Sequence, residues 1–378
     1  MKKICFVTGT RADYGILAPV MREIVRSPEA VLQIVATNMH LSERFGMTVN
    51  EIEADGFKVD SKIESLMEGD SASATVLSMA RVQEGLALAF ERLQPDIVVI
   101  LGDRYEALAA AAAAVVFNIP VAHLHGGETT EGAIDNKFRH AITKLSTYHF
   151  AATHQYAEMI ISMGEPEERV FHSGAPGAAV CEESDPESIS RLFFDKTGFY
   201  PGEQFILLAF HPVTLLSDRG ESELKATLEA LDEFILKGYR VLVTMPNSDP
   251  GNRRIFDMLS DWAQGHKGMV RMVTSLGAVL FHHALDNALA IVGNSSAALI
   301  EAPSHRLGAV NVGERQKGRA HGLTVIDVAG DRQEIVKALD AVLSLEMKAV
   351  LMGLHVSSLN PYYKENAAKF IADRLIEL

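Results

Sequence analysis

The chain has 378 residues, about twice the usual length of one domain, so two domains are the expectation. Hydrophobic residues make up 48% and charged residues 22%, a globular balance that excludes disorder and low complexity. A formal net charge of −14 argues against non-specific nucleic-acid binding and against anionic membrane surfaces, while leaving room for a local basic pocket. The two cysteines, Cys5 and Cys181, cannot build a disulfide framework or a four-thiolate zinc site. Met1-Lys2-Lys3 is followed only by the apolar run Ile4 to Val7, where a secretory signal needs roughly 7–15 apolar residues and a spanning helix roughly 20. A soluble, cytoplasmic protein is therefore expected.

In chain order, short β-branched runs predict strands over 3–8, 31–37, 96–101, 119–123, 147–152 and 169–173. The second half repeats the theme over 204–210, 239–244, 269–274, 288–292 and 308–312. Amphipathic stretches between them predict helices, among them 14–26, 74–93, 105–117, 221–237, 296–302 and 331–345. The strands are almost wholly apolar, as expected when helices cover both faces of a parallel sheet. Ser173-Gly174-Ala175-Pro176-Gly177 and the acidic stretch Glu182 to Glu187 place a domain boundary, giving 1–176 and 177–360. The tail, 361–378, reads as a helix with apolar residues at Ala367, Phe370, Ile371 and Leu375. The expected architecture is α/β, with two doubly wound Rossmann-like domains facing each other across a cleft and ligands at the carboxyl ends of the strands.

Polar residues that directly follow apolar strands are the functional candidates in such folds, and five segments qualify. Thr8-Gly9-Thr10-Arg11 follows the first strand; Gly9 permits a tight turn and Arg11 offers a bidentate fork to a phosphate or carboxylate. It is not GxGxxG, so a dinucleotide fingerprint is unsupported. Gly102-Asp103-Arg104 places a carboxylate at a strand end, either as acid–base group or as the cap of the next helix. His123-Leu124-His125-Gly126-Gly127-Glu128 leads on to Asp135 and Arg139. Strand alternation puts His123 and His125 on one side, and the i, i+4 spacing puts Asp135 and Arg139 on one helix face, where Arg139 can hold Asp135 ionised. Carboxylates and histidines so close in sequence suit proton transfer, with a two-histidine zinc site as the rival.

His211, in Phe210-His211-Pro212-Val213-Thr214, ends the first strand of the second domain, as a cleft residue or a packed core histidine. Gly293-Asn294-Ser295-Ser296 opens a short helix whose free N–H groups and hydroxyls suit a diphosphate, with Glu301 further along placed for ribose hydroxyls. Gly313-Glu314-Arg315-Gln316-Lys317-Gly318-Arg319 then concentrates three cations, the mark of an anionic ligand unless it is a solvated basic loop.

Taken together, VTGTRADYG, GDRYEALA, HLHGGE with AIDNKFRHAITK, HPVT, GNSSAALIEAP and NVGERQKGR resemble the UDP-N-acetylglucosamine 2-epimerases, in the hydrolysing branch that feeds sialic-acid synthesis. The resemblance spans essentially the whole chain. It implies the two-domain GT-B architecture, with the C-terminal helix returning to the first domain. It implies Asp103 and Asp135 as catalytic carboxylates, Arg139 beside the second, and His211 as the cleft histidine. Ser295 and Ser296 match diphosphate-binding serines, Glu301 a ribose-binding glutamate, and Arg315 a nucleotide-contacting arginine. Phe281 sits where an aromatic packs on uracil, and Arg11 matches a phosphate-binding arginine. Many relatives carry a glutamate where this chain has His125, which leaves Glu128 as the substitute carboxylate and His125 among the substrate-binding residues.

The implied reaction inverts C2 of a UDP-linked sugar. A base removes the C2 proton as UDP leaves C1, and water then adds to the resulting glycal, releasing N-acetylmannosamine and UDP. No metal or other cofactor is called for, because cations and helix N–H groups stabilise the leaving diphosphate. UDP-2,4-diacetamido-2,4,6-trideoxyglucose is the alternative substrate, and a glycosyltransferase the more distant alternative activity. A homodimer or homotetramer is the assembly the resemblance implies.

Overall fold

In the computed structural model, residues 1–179, 185–200 and 202–378 are described; Cys181 and the acidic residues Glu182 and Glu183 lie outside them. The first half of the chain runs β1 (Lys2–Thr8), α1 (Arg11–Arg26), β2 (Ala30–Thr37), α2 (Val49–Ala54), β3 (Ser61–Ile63), α3 (Ala72–Leu93), β4 (Ile97–Leu101) and α4 (Tyr105–Val116). It continues through β5 (Val121–Leu124), α5 (Asp135–Leu145), β6 (Tyr148–Ala151), α6 (His154–Ser162) and β7 (Val170–His172). The second half runs α7 (Pro186–Thr197), β8 (Phe205–Ala209), α8 (Glu221–Leu236), β9 (Arg240–Thr244), α9 (Asn252–Gly265), β10 (Val270–Val273), α10 (Gly277–Asn287) and β11 (Ala288–Gly293). After it come α11 (Ala297–Ile300), β12 (Ala309–Val312), β13 (Val325–Val328), α12 (Arg332–Leu343), α13 (Leu345–Gly353), α14 (Val356–Leu359) and α15 (Ala367–Glu377).

Among the described residues the first sheet has the order β3-β2-β1-β4-β5-β6-β7 and the second β10-β9-β8-β11-β12-β13, each all parallel. Both are doubly wound α/β sheets. Strand alternation explains why the strands read as unbroken apolar runs. In β1, Ile4 and Phe6 enter one core while Cys5 and Val7 enter the core on the other face. In β8, Ile206 and Leu208 face one layer and Phe205, Leu207 and Ala209 the other. The central strands of each sheet are thus covered on both sides.

The chain packs as two compact units: residues 1–128, 134–177 and 364–378 form the first, and residues 129–133 and 178–363 the second. The five residues after Glu128 therefore group with the second unit, where the Glu131 N–H donates to the Lys317 carbonyl at 3.0 Å. Helix α15 packs in the first unit, burying Ile371, Ala372 and Leu375 in the same core as α1. Within the acidic stretch, Asp185 caps α7, its side chain accepting from the Ser188 N–H.

Two strands escape the hydrophobic pattern, and both lie at sheet edges. β3 is only Ser61-Lys62-Ile63, and β13 carries Asp327, which accepts from Asn311 Nδ2 at 2.7 Å. The helix expected over 296–302 is also corrected. Helix α11 stops at Ile300, and a 3-10 turn over Ala302–His305 with Pro303 near its start takes over.

Candidate active site

In a doubly wound sheet, the crevice opens where the strand order reverses direction, at the carboxyl ends of the two strands flanking the switch. In the first sheet these are β1 and β4, so the loops Thr8–Arg11 and Gly102–Arg104 are the ones brought together. Thr10 caps α1 in a full capping box: its hydroxyl accepts from the Asp13 N–H, and the Asp13 carboxylate accepts from the Thr10 N–H. Burial and the nearby Glu106 carboxylate raise the pKa of Asp13. Burial also pulls the Arg11 guanidinium down to about 10. Gly9 is needed here, since a Cβ would come within 2.5 Å of the Glu106 side chain. Glu106 in turn accepts from Arg104 Nε at 2.6 Å in a buried ion pair.

Asp103 does not cap α4, whose N-cap is Arg104 without a side-chain bond. Instead its carboxylate forms an ion pair with Arg139 on α5. Arg139 is fully buried, and its Nη1 also donates to the Glu128 carbonyl at 2.9 Å. One guanidinium thus ties the end of β4 to the loop after β5. Asp135 is buried at the first position of α5, where the positive end of the helix dipole favours a carboxylate.

The extended alternation expected through His123 and His125 fails at His125. Strand β5 ends at Leu124, and His125 adopts φ 62°, a left-handed conformation that separates the two rings. His123 is a packed core histidine: Nε2–H donates to the Gly102 carbonyl at 2.7 Å, and Nδ1 lies 3.3 Å from the Thr143 hydroxyl. Burial pushes it down to about 3, so it stays neutral. His125 Nδ1–H instead donates to Glu128 Oε1 at 2.6 Å, with Glu128 fully buried. No group of three or more His, Cys, Asp or Glu side chains is placed to hold a metal ion among the described residues.

The second sheet reverses between β8 and β11, and its crevice collects the fourth and fifth segments. Asn294, fully buried, is the clasp. Its Oδ1 accepts from the His211 N–H at 2.7 Å, and its Nδ2 donates to the His211 carbonyl at 2.8 Å. The Asn294 carbonyl then accepts from Arg315 Nη1 at 3.1 Å and Gln316 Nε2 at 2.9 Å. Ser295 Oγ accepts from the Ala297 N–H, and Ser296 precedes α11. His211 Nδ1 accepts from the Asn247 N–H at 3.2 Å, and Asp249 lies 3.8 Å from Arg315 Nη2. Burial pushes Glu301 up to about 7. Phe281 lies on α10, part-buried against the adjacent core.

Comparison with known proteins decides the family. The profile of the family described as UDP-N-acetylglucosamine 2-epimerase matches residues 22–376. The chain belongs to that family. UDP-sugar 2-epimerisation is accordingly its class of activity. A UDP-N,N'-diacetylbacillosamine 2-epimerase (hydrolyzing) from Legionella pneumophila is 39% identical over 328 residues, covering 87% of this chain and 85% of that protein. A GDP/UDP-N,N'-diacetylbacillosamine 2-epimerase (hydrolyzing) from Campylobacter jejuni is 34% identical over 353 residues, covering 92% and 89%. Among solved structures, the Neisseria meningitidis UDP-GlcNAc 2-epimerase bound to UDP-GlcNAc aligns over 100% of both chains at 19% identity, with a TM-score of 0.83. That likeness establishes the GT-B-type α/β fold.

The family member's two switch points account for Arg11 and Asp103 in the first unit and for His211, Ser295 and Arg315 in the second. Asn247, Asp249 and the clasp role of Asn294 escaped the sequence argument. The signal for the first two was available: Met245-Pro246-Asn247-Ser248-Asp249 directly follows β9, the same position that selected the other segments. No helix is long and apolar enough to cross a membrane among the described residues.

Proposed function

We propose that this chain is a hydrolysing UDP-sugar 2-epimerase: it converts a UDP-linked 2-acetamido sugar to the free C2-inverted sugar and UDP, through elimination to a glycal and hydration. The observation that carries the proposal is the linked set of Asp103 after β4, His125 and Glu128 after β5, and Arg139 on α5, an acid–base assembly held in one geometry. Together with Asp135 it supplies groups for both proton transfers at C2. In the second unit Ser295, Ser296, Arg315 and His211 are the groups proposed for the diphosphate, and Glu301 and Phe281 for ribose and uracil. Arg11 is proposed as a further phosphate contact. Fixed donors and cations of this kind stabilise a leaving diphosphate without a cofactor.

For the sugar, the two relatives at 39% and 34% identity favour UDP-N,N'-diacetylbacillosamine, a 2,4-diacetamido-2,4,6-trideoxy sugar, over UDP-N-acetylglucosamine. UDP-N-acetylglucosamine stays as the second substrate, supported by a Neisseria meningitidis UDP-N-acetylglucosamine 2-epimerase at 30% identity over 351 residues. A role in nonulosonic acid synthesis, in the cytoplasm and as a homo-oligomer, completes the proposal.

The test is to incubate the protein with each UDP-sugar in heavy water, without added metal or acceptor, and follow the products by proton NMR. Release of UDP and of a free sugar bearing deuterium at C2 is expected. UDP release that requires an acceptor sugar, or product retaining the C2 proton, would overturn it.

A further inference from the structure

His125 is held in a way that ordinary packing does not require. Its backbone sits at φ 62°, where a residue with a Cβ is disfavoured, fixed by its N–H donating to the Phe150 carbonyl at 3.1 Å. Its ring is buried. One nitrogen is fully engaged: Nδ1–H donates to Glu128 Oε1 at 2.6 Å. The other, Nε2, is buried with no hydrogen-bond partner. A buried polar atom left alone is costly, and a strained backbone that aims one is a mark of function rather than of folding. Glu128 has no exposed surface of its own, and its carboxylate accepts directly from the imidazole.

The tautomer follows from the carboxylate. Since Glu128 accepts the Nδ1 proton, the neutral ring carries its lone pair on Nε2 and is a base, and the carboxylate stabilises the imidazolium once Nε2 takes a proton. We propose that His125, not Glu128, is the base that removes the sugar C2 proton, and that Glu128 is a positioning residue acting through it. This rests on the hydrolysing-epimerase reading above. In the step, the Nε2 lone pair takes the C2 proton and the C2–H electron pair becomes the C1=C2 double bond. The C1–O bond breaks, its electron pair leaving on the diphosphate. Asp103 and Asp135 remain to return a proton to C2 and to accept one from the added water.

The wild-type assay comes first: if no UDP-sugar is turned over, the functional reading fails, and with it the basis of this proposal. With turnover in hand, H125N is the informative variant, because asparagine tolerates the left-handed backbone that His125 occupies. Its kcat is expected to fall roughly 10²–10⁴-fold, the usual worth of a general base, with UDP affinity by calorimetry within about twofold of wild type. No glycal should form. A glycal accumulating in the H125N reaction, a kcat within tenfold of wild type, or a loss confined to UDP affinity would each overturn the assignment. For Glu128, the test is coupling. E128Q should lower kcat less than H125N, and the double variant should be no slower than H125N alone, because both act in one unit. Multiplying losses would make Glu128 an independent group and overturn its positioning role.

Discussion

Removing the Asn294 side chain separates structure from chemistry at the second switch point. In N294A both side-chain bonds to the His211 backbone vanish, the 2.7 Å bond from the His211 N–H and the 2.8 Å bond to its carbonyl. Each leaves a part-buried backbone group unsatisfied, at about 1–2 kcal/mol apiece, so the loss is about 2–4 kcal/mol. For a unit of this size, about 2–4 °C of melting temperature accompanies each kcal/mol, which predicts a drop of roughly 5–15 °C in the second unit's transition. His211 then loses its side-chain tie to the loop after β11, although the residue-294 N–H still donates to the Ala209 carbonyl, and UDP affinity should fall with it. H211A is the control. It keeps both backbone bonds, and the ring bond accepted from the Asn247 N–H is worth about 1 kcal/mol, so H211A should destabilise less than N294A while abolishing turnover. Differential scanning calorimetry and UDP titration calorimetry on both variants decide the matter. An N294A protein melting within 2 °C of wild type on the scale just given, or an H211A protein as unstable as N294A, would refute the clasp.

Two further outcomes follow from close contacts and burial. Gly132 packs against the Gly313–Gly318 loop: a Cβ there would sit 2.2 Å from the Glu314 carbonyl oxygen and 2.6 Å from its carbon. Both are backbone atoms, so G132A must displace the loop carrying Arg315, and UDP affinity by calorimetry should fall tenfold or more; unchanged affinity would refute the contact. Glu301 gives a pH signature. Burial raises its carboxyl from an ordinary 4.5 to about 7, so its contribution to stability is complete below about pH 4.5 and is lost as pH rises toward 7. E301Q, which cannot ionise, should therefore gain melting temperature relative to wild type on going from pH 4.5 to pH 8, and a constant difference across that range would sink the assignment.

The amino-acid sequence by itself determined the alternation of apolar runs and amphipathic stretches, because strands buried on both faces are built mainly from apolar residues, as Ile4, Phe6, Cys5 and Val7 illustrate. It also marked most of the segments brought to the two switch points, since polar residues directly after such runs stand out locally. What it could not decide depends on partners distant in the chain. Asp103 and Arg139 are thirty-six positions apart, and nothing in either segment tells that Asp103 forms this ion pair rather than capping the next helix. His123 and His125 look equivalent in HLHGGE. Only the left-handed turn at His125 separates a ring satisfied by Gly102 from one whose Nε2 is buried without a hydrogen-bond partner. The edge strand β3, with Ser61 and Lys62, carries no apolar run because pairing on one side alone lets polar residues remain. Local composition records burial; tertiary contact alone selects which buried polar groups meet, because hydrogen bonds and ion pairs are set by distances that span the sheet rather than the sequence.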